Sequence, residues 1–161
     1  MRQLSFIVLY TTILFTSAQC NKESDPQNGH LEVTITYPEV VIKSDTMYWF
    51  SVPGVGAEVR LFDKDAECLG YKDARLGRAL IGDELAQCKY VANPNTEGKI
   101  LFEDVEAGEY YLIVYAGQLY KYSEKYIEII GGDTLKLTKN FTPSGSFFKD
   151  LEPWDYVMTA N

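Results

Sequence analysis

Gly98-Lys99-Ile100-Leu101-Phe102-Glu103-Asp104-Val105-Glu106-Ala107-Gly108-Glu109-Tyr110-Tyr111-Leu112 is the stretch on which the fold of this chain turns. Residues 99–102 read as a strand. So do residues 110–115, which are apolar on both faces and therefore belong in the middle of a sheet. Gly98 and Gly108 permit tight turns at either end of the first strand and its return. Phe102 and Tyr110 supply large rings for a space between sheets, and Val105 plugs the bend between the two strands.

Working outward, the same period-two pattern recurs. Leu31, Val33, Ile35 and Tyr37 alternate with Glu32, Thr34 and Thr36, the pattern of a half-buried strand. Residues 40–42 and 47–52 are further strands, broken by Pro38, Ser44-Asp45 and Pro53-Gly54. Residues 57–62 alternate with Val59 and Leu61 inward and Glu58 and Arg60 outward. Residues 126–130 and 134–138 follow, joined by Gly131-Gly132-Asp133, which has the composition of a hairpin turn. Many short strands with closely spaced turn signals define an all-β sandwich or barrel. Residues 69–87 depart from the pattern, with mixed charge and scattered glycines. They read as an insertion holding at most a short helix at 82–87. Residues 141–161 form a tail with Phe147, Phe148, Trp154 and Tyr156. Pro143 and Pro153 oppose a long helix there, so an extended segment packed along a sheet edge is expected.

The opening stretch resembles the core of prealbumin-like domains, the group of carboxypeptidase regulatory-like and collagen-adhesin B-type modules. Their pattern is Gly-x-apolar-x-Phe-x-x-Leu/Val-x-x-Gly-x-Tyr-x-Leu/Val. Flanking elements agree, with Gly56-Ala57-Glu58-Val59-Arg60-Leu61 upstream and Ile129 and Gly132-Asp133-Thr134-Leu135 downstream, so the resemblance covers residues 55–138. It implies a Greek-key β-sandwich of about seven strands. The Lys–Asn isopeptide bond of collagen-adhesin modules does not carry over. The glutamate four residues after the motif tyrosine is replaced by Val114, and no lysine interrupts residues 31–37, although Asn140 stands near the last strand. Hydroxyisourate hydrolases share the prealbumin fold but rely on several histidines, whereas this chain has one, His30.

Before the sandwich lies an address. Arg2 precedes an apolar run over residues 4–15, then Thr16, Ser17, Ala18 and Gln19 lead to Cys20. That run is short of the roughly 20 residues a bilayer-spanning helix needs and suits a cleaved signal. The segment resembles a bacterial lipoprotein signal whose lipobox is Ser17-Ala18-Gln19-Cys20, which implies acylation (palmitate-type chains) of Cys20 after cleavage. Gln19 departs from the usual small residue, and cleavage after Ala18 with plain secretion is the alternative. Residues 21–29 are polar and read as a flexible tether. Glu23 and Asp25 resemble the acidic signal that routes some Gram-negative lipoproteins outward, and the alternative is a solvated linker. The full chain carries a formal charge of −8, and loss of Arg2 with the leader makes it −9. Such acidity opposes nucleic-acid or anionic-membrane binding through general electrostatics.

Chemistry-bearing residues are sparse. Cys68 and Cys88 bracket the insertion, and in an oxidising compartment a disulfide between them is expected, with two separate buried thiols as the alternative. A bridge would close a loop of about 20 residues, worth roughly 3 kcal/mol. Asp63, Asp65 and Glu67 alternate like the start of a calcium loop. Cys68 and Ala74 occupy the positions that need glycine and glutamate, which excludes an EF-hand. No metal-ligand spacing, P-loop or nucleophile elbow is present, so neither catalytic residues, cofactor nor metal is expected. Asp45-Thr46-Met47 and Asp133-Thr134-Leu135 resemble the acceptor tripeptide of a bacterial O-glycosylation system, at Thr46 and Thr134.

The resulting organisation is a signal peptide at 1–19, a tether at 20–29, a prealbumin-like sandwich at 30–140 and an aromatic tail at 141–161. The expected role is a non-enzymatic binding or accessory module, lipid-anchored at the cell envelope on the periplasmic or surface face of the outer membrane, with a protein or glycan partner. A structural subunit of a surface assembly is the second reading and a hydrolase of unknown type the third. Replacing Cys20 by Ser is expected to abolish fatty-acid labelling and to release the protein from the membrane fraction. Retention of the variant in membranes, with an unlabelled wild type, is the opposite outcome.

Overall fold

A computed structural model of the chain describes residues 28–143 and 148–160. The leader, Cys20 and Phe147 lie outside the described residues. The strands are β1 (Gly29–Lys43), β2 (Thr46–Pro53), β3 (Ala57–Asp63), β4 (Leu80–Ile81), β5 (Glu84–Leu85), β6 (Tyr90–Ala92), β7 (Lys99–Val105), β8 (Gly108–Ala116), β9 (Lys121–Ile129), β10 (Asp133–Asn140) and β11 (Asp155–Ala160), with one helix, α1 (Tyr71–Leu76). They build an all-β sandwich. One sheet runs β11-β10-β1-β2, with β7 also paired to β1, and the other runs β6-β3-β8-β9.

Alternation along each strand places its apolar side chains between the sheets. Leu31, Val33 and Ile35 from β1, Val59 and Leu61 from β3, and Tyr110, Leu112 and Val114 from β8 are buried there together with Phe102 and Val105. Gly98 has φ +78°, and a Cβ on it would lie 2.4 Å from the Ile35 carbonyl oxygen, so the turn before β7 requires glycine. Tyr110 turns its hydroxyl out of the core and donates to the Glu106 carbonyl at 2.8 Å.

β8 is central, between β3 and β9, and has no polar face. Tyr111 and Ile113 point away from the main core into a second cluster with Phe62, Ala66, Ala74, Ala79 and Tyr122. The 69–87 insertion covers this cluster. Its helix is α1 rather than the expected 82–87 segment. Gly77, at φ 63° and ψ 40°, ends α1 in the left-handed cap, and Gly82 forms the turn between β4 and β5.

Three further expectations are corrected. Pro38 does not end the first strand, which runs unbroken for 15 residues. A two-residue turn makes Lys43 and Thr46 a hydrogen-bonded pair, so alternation leaves Pro38 opposite Ser51 in a non-hydrogen-bonded pair. Its donor-less nitrogen thus faces the side where β10 has already ended, at Thr36. Residues 131–133 are not a hairpin turn: β9 pairs with β8, and β10 pairs with β1 and β11, so the chain changes sheets there. Finally, Cys68 and Cys88 are free thiols. Each hydrogen bonds within its own turn, Cys68 to the Gly70 carbonyl and Cys88 to the Tyr90 carbonyl, and burial pushes both thiol pKa values up.

The tail does lie along a sheet edge, as β11 against β10. Trp154 packs on the main core and Phe148 stacks on Tyr71 of α1 at 4.4 Å, while Tyr156 stays exposed. Because Tyr110 is buried and bonded at its hydroxyl, Tyr110→Ala is expected to destabilise the fold by about 3–5 kcal/mol in equilibrium denaturation.

Candidate functional site

Edge strand β9 carries the most feature-rich surface. Its odd residues Ile127 and Ile129 enter the core, which turns Tyr126 and Glu128 outward. Tyr126 is 62% exposed and its ring lies 5.0 Å from that of Tyr111. On one side of it opens a concavity of about 400 Å³, reaching Lys64, Asp65 and Glu109. On the other is one of about 260 Å³ between β9 and the β10–β11 pair, floored by Leu135 and Leu137 and walled by Tyr156 and Met158. Lys64 and Glu109 pair at 2.6 Å across the first, and Lys125 sits 5.3 Å from the Tyr156 ring centre in the second. Aromatic faces flanked by both signs of charge suit a ligand that offers flat apolar patches and hydroxyl or amide groups.

A second cluster is buried. Asp150 lies between two lysines, with Lys139 Nζ at 2.7 Å and Lys121 Nζ at 3.6 Å. Lys139 also donates to the Glu152 carbonyl, and Lys121 to the Thr142 carbonyl, both at 2.7 Å. Thr142 donates its backbone N–H and its hydroxyl to Asp150 at 2.9 and 3.0 Å. The rings of Phe141 and Trp154 lie within 6 Å of the Lys139 ammonium. Trp154 Nε1 donates to the Ser123 hydroxyl at 3.1 Å, and that hydroxyl donates to the Asp150 carbonyl at 3.2 Å. This clasp ties β9 and β10 to the tail. The strand pattern holds its one sequence signal, since Leu135, Leu137 and Lys139 share parity, but the strand had been expected to stop at Thr138.

The remaining sequence candidates are dispersed. His30 lies on the outer face of the first sheet, in a shallow concavity with Glu32, Glu103 and Lys136. Asp63 pairs with Lys89, Asp65 lines the Tyr126 surface, and Glu67 bridges to Leu80 through the main chain. No group of three or more His, Cys, Asp or Glu side chains is assembled for a metal among the described residues. Thr46 is exposed beside the β1–β2 turn, and Thr134 is half-buried in β10. Asn140 Oδ1 accepts from the Thr36 hydroxyl at 2.6 Å.

Past Tyr37 and its partner Val52, which still pack on the core, β1 and β2 leave the sandwich as a two-stranded arm. Ser44 and Asp45 close it with φ of 47° and 63°. Val40, Ile42, Met47 and Trp49 occupy one face, and Tyr48 and Phe50 the other, all exposed. No family model, curated protein or solved structure matches this chain.

Asp150 gives the clasp a pH dependence. Burial raises its pKa, but the hydrogen bond from Lys139 and those from Thr142 outweigh burial and leave it below the ordinary value. The stabilisation is therefore present above the unfolded value of about 3.9 and is lost as pH falls through the lower folded value. Asp150→Asn is expected to cost about 3–5 kcal/mol at neutral pH, because two buried ammonium groups lose their counter-charge. Unfolding midpoints measured from pH 7 to pH 2 should show a weaker acid limb in that variant than in the wild type.

Proposed function

We propose that the chain is a lipid-anchored, exported and non-catalytic binding module of the cell envelope, built on a prealbumin-like sandwich, and that the surface centred on Tyr126 is where it holds its ligand. The observation that carries this reading is the exposed Tyr126 ring between two concavities on a rigid edge strand, with Tyr156, Lys125, Glu109 and Glu128 within the same surface. Tyrosine rings stack on the apolar faces of sugars, and carboxylate and ammonium groups hydrogen bond hydroxyls, so a glycan is the ligand class this chemistry fits. The anchor at Cys20 rests on the leader pattern. The domain begins at Gly29, so the tether would hold it by the end of β1 opposite the arm.

The reading as a subunit of a surface assembly has its own observation, the bare apolar arm of β1 and β2. For the binding reading, the full-length chain is expected to capture members of a glycan array. Tyr126→Ala should lower that capture by more than about tenfold with an unchanged melting temperature, as loss of a stacking ring does. An array silent for the wild type, or capture indifferent to Tyr126, refutes it.

A further inference from the structure

The β2 edge is unprotected. Met47, Trp49 and Ser51 direct their backbone N–H and C=O groups away from β1, since Thr46, Tyr48, Phe50 and Val52 hold the hydrogen-bonded positions opposite it. Among the described residues, no strand pairs with that side. From Thr46 to Val52 this strand contains no charge and no proline, the devices that ordinarily blunt an edge, and only its last residue, Pro53, closes the edge where β2 rejoins the sandwich. The β9 and β7 edges do carry charge, Glu124, Lys125 and Glu128 on one and Lys99, Glu103 and Asp104 on the other, while β6 is three residues long and β11 has Asp155 at its start. A two-stranded ribbon is marginally stable in water, and this one is apolar on both faces.

Three occupants compete for this edge. A bilayer is disfavoured, because hydrocarbon would leave the open ladder groups unsatisfied and the arm's end is the polar Lys43-Ser44-Asp45-Thr46. The chain preceding Asn28 leaves from the far end of β1, about 36 Å from the level of Trp49 at 3.3 Å per residue, and residues 20–28, which remain after the proposed loss of the leader, reach only about 30 Å. A second copy fits best. In a molecule of net charge −8, β2 is a neutral strand, so antiparallel self-pairing sets no like charges opposite one another. The outward hydrogen-bonding positions are symmetric about Trp49, which gives a two-fold register of Trp49 on Trp49 and Met47 on Ser51. Tyr48 then faces Phe50 on the other face. Edge-to-edge pairing satisfies the outward N–H and C=O groups of β2 and packs the flanks of Met47, Tyr48, Trp49 and Phe50 across the two-fold, while Val40 and Ile42, one strand away on β1, stay exposed.

We infer that β2 pairs with β2 of a second copy of this chain, joining the two β11-β10-β1-β2 sheets into one continuous sheet through the arm. This contact is separate from the Tyr126 surface and stands or falls without it.

The test uses the full-length chain in mild detergent, sized by analytical ultracentrifugation. The wild type is expected to be a dimer. Trp49→Lys, which sets like charges opposite each other on the two-fold, should weaken association by more than about tenfold. Ser51→Pro removes an outward-facing donor without touching the β1–β2 ladder and should weaken it as well. Both variants should keep the wild-type far-ultraviolet circular dichroism and melting temperature of the sandwich, and Trp49→Cys should yield a disulfide-linked dimer on mild oxidation where Thr34→Cys does not. A monomeric wild type at about 100 µM overturns the inference. So does a dimer that both variants leave intact, or a foreign protein held in stoichiometric amount through Trp49 in place of the second copy.

Discussion

The ladder along β1 is the constraint on which the rest depends. Its first half is paired on both sides, by β10 in parallel and β7 in antiparallel sense, and its inward residues Leu31, Val33 and Ile35 are fully buried. Its second half is paired by β2 alone. One strand therefore serves as the spine of a core and as the root of an arm. A register slip of one residue would move every inward side chain to the outer face. The parallel β1–β10 pair needs a long connection, and the whole second sheet is threaded through it.

That second sheet owes its place to β8. With Tyr110, Leu112 and Val114 turned to one side and Tyr111, Ile113 and Tyr115 to the other, it must be covered twice. The opposite sheet supplies one cover, and the 69–87 insertion, stacked against the tail through Tyr71 and Phe148, supplies the other. The tail is held in turn by Asp150 between Lys121 and Lys139. A buried group of two cations and one anion adds little net stability over an apolar filling, but it admits few alternative arrangements. It fixes where the chain crosses from β10 to β11.

These packing demands leave two surfaces of different character. The Tyr126 surface mixes exposed rings with charges of both signs on a strand rooted in the core. The arm is apolar and uncharged along β2 and stands clear of the sandwich. The first fits a small polar ligand and the second fits another strand, so ligand contact and assembly are separable in this fold.

Much of the architecture was legible in the sequence because strand periodicity is a local property. The alternation of residues 31–37, 57–62 and 134–138, and the two-faced run at 110–115, fix which side chains face inward without knowledge of any partner. Gly98 is readable for the same reason, since its left-handed turn is a backbone requirement. Pairing is not local. Whether residues 131–133 close a hairpin or carry the chain between sheets depends on which edges β1 and β8 have already filled. Whether Pro38 ends a strand depends on where β10 stops. The position of α1, the free state of Cys68 and Cys88, and the burial of Lys139 beside Asp150 likewise arise from contacts between residues distant along the chain. Side-chain alternation and turn chemistry came from the sequence itself, because each is settled within a few residues by sterics and solvent. The sheet order, the clasp and the bare edge of β2 were decided only by tertiary structure, because hydrogen-bonding edges and buried charges find their partners only once the chain has closed on itself.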